Sequence, residues 1–269
     1  MSKRIVVLGA DPRQYWVAKN LSEAGHTVWV WGVSGLEDTK PSLPQTLSDA
    51  QAVVLPMPAF DRSGDLPLAS GRTVKAETLS NLLSKDTLLF GGILPPELCG
   101  IDYAASDVVA TANAVPTAEG AIQRAMEHLP ITLWKSRCLV IGFGRIGKVL
   151  AQRLQALGAQ VTVTARRPVD LAMAEALGYS SDRTGAYSKG LDQYDCIFNT
   201  VPAMVLSEEQ LRRTRVDCLL IDLASRPGGI DFSACARLPR QALHALSLPG
   251  QVAPATAGRI ISEFILEQL

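Results

Sequence analysis

The sequence predicts an α/β protein built from two Rossmann-like, doubly wound parallel-sheet domains with a cleft between them. Three observations predict it. Arg137-Cys-Leu-Val-Ile-Gly-Phe-Gly-Arg-Ile-Gly147 reads as a short apolar strand running into Gly142-x-Gly144-x-x-Gly147, followed by an amphipathic helix over 148–157, a stop at Gly158 and a second strand over 160–164. The chain opens with another strand–helix–strand unit of its own over 5–31. Its 269 residues are long for one domain, and 47% hydrophobic content suffices for two cores.

The elements follow in order. A buried strand over 5–8 turns through Gly9-Ala-Asp11-Pro12 into a helix over 13–24, with Asp11 as N-cap, Pro12 at the first helical position and Gly25 as the stop. A strand over 27–31 completes the unit. Gly9-Ala-Asp11 lacks the glycine triplet, so this first turn is free to bind something other than a dinucleotide. The third strand, 51–55, ends at Pro56-Met-Pro58, which cannot continue a ladder. Residues 59–70 read as a polar loop at the carboxyl edge, 75–83 as a helix, 87–90 as a strand and Gly91-Gly92 as a tight turn. Pro95-Pro96 opens a short helix, and 106–110 reads as a short strand. This makes about five parallel strands, a flavodoxin-like layer assigned to a first domain over 1–112.

The second domain, 113–254, begins with Asn113-Ala-Val-Pro116-Thr117-Ala-Glu119-Gly120, where Pro116 marks a helix start and the helix runs to about residue 129. Asn113, Thr117 and Glu119 would line the cleft, or serve as ordinary polar residues of a first turn. After the glycine-triplet unit come a helix over 168–177, a strand over 194–198, and a short helix capped by Ser207. A strand over 217–223 leads into the glycine-rich turn from Ala224 to Gly229, and a last strand spans 242–246. A helix over 255–269 returns to cover the first domain, so that the chain crosses twice and forms a hinge.

The triplet carries a dinucleotide. Gly142 permits the tight turn, Gly144 the close approach of a pyrophosphate, and Gly147 the packing of helix on sheet, with Arg145 and Ile146 between them at the helix N-terminus. Where a site for NAD places an acid at the end of the second strand, this chain has Arg166 and Arg167, and a guanidinium fork suits a 2′-phosphate. NADP is therefore expected rather than NAD. The backbone at the next two strand ends, Asn199, Thr200, Val201 and Pro202, then Asp222 and Ala224, forms the expected cofactor wall.

Composition excludes other classes. Lys plus Arg and Asp plus Glu are 26 each, so no basic stripe exists to bind nucleic acid or an acidic membrane. The five cysteines form no C-x-x-C pair and read as buried thiols in a reducing compartment, with no metal site. No apolar run approaches membrane-spanning length, and the apolar part of the N-terminus is too short for a signal peptide, so a soluble cytoplasmic protein is expected.

By layout the chain is similar to D-2-hydroxyacid dehydrogenases. It departs from them where that family needs a histidine near the end of its nucleotide domain, because Leu248 to Pro254 contains none. His26, His128 and His244 read as structural. The full set of motifs is Gly9-Ala-Asp11-x-Arg13-Gln14, Asn113 to Gly120, Gly142 to Gly147, Asn199-Thr-Val-Pro202-Ala-Met-Val, Ile221-Asp222-Leu-Ala-Ser225-Arg226-Pro227-Gly228-Gly229, and Leu248-Pro249-Gly250-Gln-Val-Ala-Pro254-x-Thr256-Ala257-Gly258-Arg259. Together these resemble the A-subunit of dipicolinate synthase from endospore-forming bacteria over essentially the whole chain. The resemblance implies oxidation of dihydrodipicolinate to dipicolinate with NADP, beside a flavoprotein-like B-subunit, in the mother-cell cytoplasm during sporulation. Gaining an aromatic ring drives hydride loss, so a tuned general base matters less than anchors for two carboxylates. Arg226 leads the anchor candidates, with Arg13 and Arg259 behind it and Ser225, Thr117 and Thr256 as hydroxyl donors. Glu119 is grouped with these as a catalytic candidate. A 2-hydroxyacid-type oxidoreductase of another substrate, a non-catalytic NADP-binding scaffold, and a homo-oligomer remain open readings.

Overall fold

A computed structural model of the chain describes residues 1–188 and 190–269. Two compact units form, Met1–Asn113 with Pro249–Leu269 and Ala114–Leu248.

The first unit contains β1 (Arg4–Leu8), α1 (Pro12–Glu23), β2 (Thr27–Trp31), α2 (Leu43–Leu47), β3 (Ala52–Val54), β4 (Asp65–Pro67), β5 (Thr73–Lys75), α3 (Ala76–Leu82), β6 (Leu88–Gly91), β7 (Ile101–Asp102) and the start of α4 (Asp107–His128). Five parallel strands lie in the order β2-β1-β3-β6-β7, the doubly wound order of flavodoxin-like sheets. Strand periodicity buries both faces. Ile5 and Val7 belong to one core with Val17, Leu21 and Tyr103, whereas Val6 and Leu8 belong to the other with Leu55, Leu66 and Leu79. Asp11 caps α1 by accepting the Arg13 N–H at 2.9 Å, with Pro12 in the first turn, as the sequence predicts.

Three local readings are corrected. Residues 59–70 are not simply a loop: β4 pairs antiparallel with β5, and the Ala10 N–H donates to Pro67 O at 2.9 Å, so the hairpin covers the turn after β1. Pro95-Pro96 opens a turn closed by Leu98 N–H on Pro95 O rather than a helix. Residues 106–110 start α4, and the edge strand is Ile101–Asp102. Val108 is 69% exposed while Val109 is buried, and Ser106 Oγ accepts the Val109 N–H at 3.4 Å, the signature of a capped helix. Pro116 therefore lies inside α4, and it only withholds one N–H from the carbonyl of Ala112.

The second unit continues α4 and adds β8 (Arg137–Ile141), α5 (Arg145–Ala156), β9 (Gln160–Ala165), α6 (Pro168–Ala176), β10 (Ser180–Arg183), β11 (Cys196–Asn199), α7 (Glu208–Arg212), β12 (Leu219–Asp222), α8 (Phe232–Arg237) and β13 (Ala242–His244). Six parallel strands run β10-β9-β8-β11-β12-β13, the Rossmann order with its switch point between β8 and β11. At the boundary, α9 (Leu248–Val252) leads the chain back to the first unit. Strand β10 and helices α8 and α9 are short or polar, and periodicity does not reveal them. The last helix, α10 (Pro254–Gln268), packs on α1 in the first unit, where Ile261 and Ile265 join Val17 and Leu21. Contact is close because Gly258 has no side chain: a Cβ there would stand 2.6 Å from Trp16 Cβ and 2.8 Å from Arg13 O.

Candidate functional site

At the switch point of the second unit the three glycines differ in what surrounds them. A Cβ on Gly142 (φ +97) would lie 2.4 Å from Thr200 Oγ1 and 2.9 Å from Val201 Cγ2, so the turn after β8 packs directly on the loop after β11. Thr200 holds that contact by donating its N–H and its hydroxyl to Ile141 O, each at 2.9 Å. A Cβ on Gly147 would lie 2.0 Å from Gly142 O, which is what helix α5 meeting the turn requires. Gly144 meets nothing within 4 Å. It is the N-cap of α5 and supplies no side-chain acceptor, so the first-turn N–H groups are left for an anion. The residues here fit the diphosphate of a dinucleotide: two glycines are required by packing, and the third is bare where a ligand would approach. Arg145 is exposed and Ile146 half-buried beside it.

The first unit's switch point is closed by contrast. Gln14 is fully buried between the ends of β1 and β3, donating from Nε2 to Leu8 O at 2.8 Å and Val54 O at 3.1 Å, with its Oε1 unpartnered. Asp11 and Arg13 sit above it. Arg13 donates from Nε and Nη2 to the two Asp11 carboxylate oxygens at 2.8 and 2.6 Å, and again from Nη2 to Met57 O. Burial works against its charge, yet the Asp11 carboxylate raises its pKa overall. Arg13 was expected as a substrate anchor. Its Nε and Nη2 are engaged from within the unit, on Asp11 and on Met57 O.

The two arginines after β9 also separate. Arg167 is bound through Nε and Nη2 to Asp170, both at 2.7 Å, within the first turn of α6. That carboxylate raises the Arg167 pKa, and Arg167 in turn lowers Asp170. Arg166 is exposed and makes no side-chain bond among the described residues. Of the two, Arg166 is the one whose guanidinium has no partner among the described residues.

The strand ends after β11 and β12 are joined by buried polar groups. Asn199 is fully buried, accepts the Val201 N–H at 2.9 Å, and donates to Val201 O and to Asp222 Oδ1. Asp222 is fully buried and accepts from Asn199 Nδ2, Ala224 N–H, Gly229 N–H and Ile230 N–H at 2.8, 3.1, 2.7 and 3.1 Å. Both side chains are engaged with the backbone of their own two loops and with each other. Pro202 is exposed, Val201 half-buried and Ala224 buried. Ser225 and Arg226 form the exposed tip of the turn, and Arg226 makes no side-chain hydrogen bond or ion pair among the described residues.

Thr117 and Glu119 do not share a face. Two residues apart on α4, they point about 200° apart around the axis. Thr117 is half-buried, whereas Glu119 pairs with Arg153 of α5 at 3.2 Å, beside a groove of about 580 Å³ lined by Ile122, Met126 and Leu157. Arg153 is about 12 Å along α5 from its N-terminus, and that is where it holds the Glu119 carboxylate. Arg259 lies exposed on α10, 3.8 Å from Glu263. His244, read from the sequence as structural, lies at the end of β13, donates from Nε2 to Ala224 O at 2.9 Å and stacks on Phe232. A lone histidine in a strand carries no signal for this role.

Among the described residues no helix is long and apolar enough to cross a membrane, and no group of three metal-ligating side chains clusters.

Comparison with known proteins agrees with this geometry. Residues 4–106 match the family model for the N-terminal domain of the dipicolinate synthase A-subunit, and residues 104–234 match the D-isomer specific 2-hydroxyacid dehydrogenase, NAD binding domain. The dipicolinate synthase A-subunit of Bacillus subtilis is 30% identical, over 99% of this chain and 95% of that protein. The crystal structure of the corresponding protein from Bacillus halodurans superposes with a TM-score of 0.91 at 29% identity, covering 99% of this chain and 97% of that one. The crystal structure of the Bacillus subtilis protein gives 0.86 at 28%, covering 100% and 96%. D-lactate dehydrogenase from Escherichia coli, at 13% identity and a TM-score of 0.62, shares the fold.

Proposed function

The chain belongs to the dipicolinate synthase A-subunit family and is an NAD(P)-dependent dehydrogenase by its nucleotide unit, and from these premises we propose that it oxidises dihydrodipicolinate to dipicolinate by hydride transfer to NADP. Balance is simple: the dihydropyridine ring gives up one hydride and one proton and becomes aromatic. The bound nicotinamide would supply the hydride acceptor. The chain's own residues bind and orient. The α5 N-terminus and bare Gly144 hold the diphosphate, Arg166 meets the 2′-phosphate, and Thr200, Val201 and Pro202 form the wall of the nicotinamide side. Arg226 anchors a substrate carboxylate, with the Ser225 hydroxyl beside it.

The observation that carries this reading is the contrast between the two switch points. One is bare at Gly144, and the other is plugged by Gln14 and covered by the β4–β5 hairpin. His244 holds Ala224 O through Nε2 and lies in the sequence outside the stretch Leu248–Pro254 where a 2-hydroxyacid dehydrogenase carries its histidine. We assign the partner as the synthase's flavoprotein-like B-subunit, and the setting as the mother-cell cytoplasm during sporulation. The test mixes pure protein, NADP and freshly made dihydrodipicolinate, with and without that partner. NADPH and pyridine dicarboxylate absorbance should rise together. If neither rises in either mixture, the assignment is refuted.

A further inference from the structure

The turn bearing Ser225 and Arg226 is exposed only at its tip, and its base is held more firmly than a surface loop needs to be. Ala224 is fixed on both sides, its N–H by Asp222 Oδ1 and its carbonyl by His244 Nε2. A carbonyl can only accept, so that imidazole nitrogen carries the hydrogen. The far end of the turn is fixed by Asp222 Oδ2, which accepts from Gly229 and Ile230. The approach at Gly228 is equally close: a Cβ there would lie 2.5 Å from Asp222 Oδ2 and 3.3 Å from His244 Cε1.

The same carboxylate reaches the neighbouring loop through Asn199, whose amide holds both the N–H and the carbonyl of Val201. Backbone bonds complete the join: Gly229 O accepts from Val205 and Leu206, and Leu223 donates to Asn199 O. The loops after β11 and β12 therefore form one block, with Asp222 at its centre. Four N–H groups donate to Asp222, two to each oxygen, a shell that a carboxylate fills and an amide cannot.

We propose that Asp222 is a positioning residue: it locks the two loops together and so sets where Arg226 presents its guanidinium to the substrate carboxylate. This rests on the reading of Arg226 as a diacid anchor. Asp222 acts only through the turn, because it is fully buried and saturated.

The test uses the full chain loaded with NADPH and reads pyridine-2,6-dicarboxylate binding by calorimetry, with NADPH affinity measured separately. Arg226→Ala should weaken the diacid about tenfold or more. Asp222→Asn, which keeps the shape and turns one of the two acceptor oxygens into a donor, should weaken the diacid comparably at saturating NADPH. The double variant should be no weaker than Arg226→Ala alone, since a residue that acts through Arg226 has nothing left to position. If Asp222→Asn does not fold, the same cycle is run with His244→Ala, and His244→Gln should restore binding by returning an N–H donor to Ala224 O. Additive losses in the folded cycle, or no loss beside a weakened Arg226→Ala, overturn the proposal while the diacid reading stands. An Arg226→Ala variant that binds the diacid normally removes that reading at this turn, and the proposal with it.

Discussion

Residue chemistry in this chain is decided by partners. Arg166 and Arg167 are indistinguishable as letters, yet Arg167 is bidentate to Asp170 and Arg166 is unengaged among the described residues. Arg166→Ala should therefore weaken NADP binding about tenfold and leave NAD unchanged, whereas Arg167→Ala should cost only a few-fold, because the phosphate must displace Asp170 from that fork. Calorimetric titration of both nucleotides against both variants checks this, and equal losses for NAD would contradict it. Arg13 and Glu119 teach the same lesson. Both are of the right type for the site, and both are spent elsewhere, on Asp11 and on Arg153. Side-chain type was legible in the sequence. Pairing across elements was not, because Arg153 is thirty-four positions from Glu119, whereas Asp11–Arg13 and Arg167–Asp170 are two and three positions apart and lie open to a local reading.

At the scale of elements the glycine turn makes a sharper prediction. Gly142→Ala and Gly147→Ala place a methyl against Thr200 Oγ1 and against a backbone carbonyl, so both should lower the melting temperature markedly. Gly144→Ala adds its methyl to open space at a φ of −83 and should leave melting unchanged while weakening nucleotide binding about tenfold or more. A Gly144→Ala protein that binds NADP normally would mean that no diphosphate approaches this backbone. The strand–triplet–helix–strand stretch was legible because its spacing follows from packing geometry alone. The 106–110 stretch was misread because Val108-Val109-Ala110 fits a strand and a helix equally well over so short a run, and only the Ser106 cap and alternate exposure separate them. Strand β10, Ser180–Arg183, has no apolar pattern to read at all.

For the whole molecule, two sheets of 2-1-3 and 3-2-1-4 winding follow from alternating strand and helix patterns, and the return of α10 to α1 completes the first unit's core. Ile261→Ala, at a position 1% exposed, should destabilise that unit by about 2–5 kcal/mol in denaturant unfolding. Stability should also fall in base. Burial pushes the thiols of Cys138 and Cys218 up to about 11 and about 12, and Cys196 well above its usual range. From about pH 8.5 upward the unfolded chain releases thiol protons that the folded chain retains, so stability is intact below that pH and is lost progressively through the folded values. Urea midpoints at about pH 8 and about pH 10 check the sign, and a higher midpoint in the more basic buffer would contradict it.

The central claim is that this fold holds a phosphorylated nicotinamide cofactor and passes a ring hydride to it. It is tested most directly by giving the protein NADP and dihydrodipicolinate deuterated at its saturated ring carbons, without oxygen, and weighing the NADPH formed while confirming that recovered substrate keeps its label. The account predicts NADPH one mass unit heavy, in step with the dipicolinate produced. Dipicolinate formed with unlabelled NADPH, or with none, would contradict it.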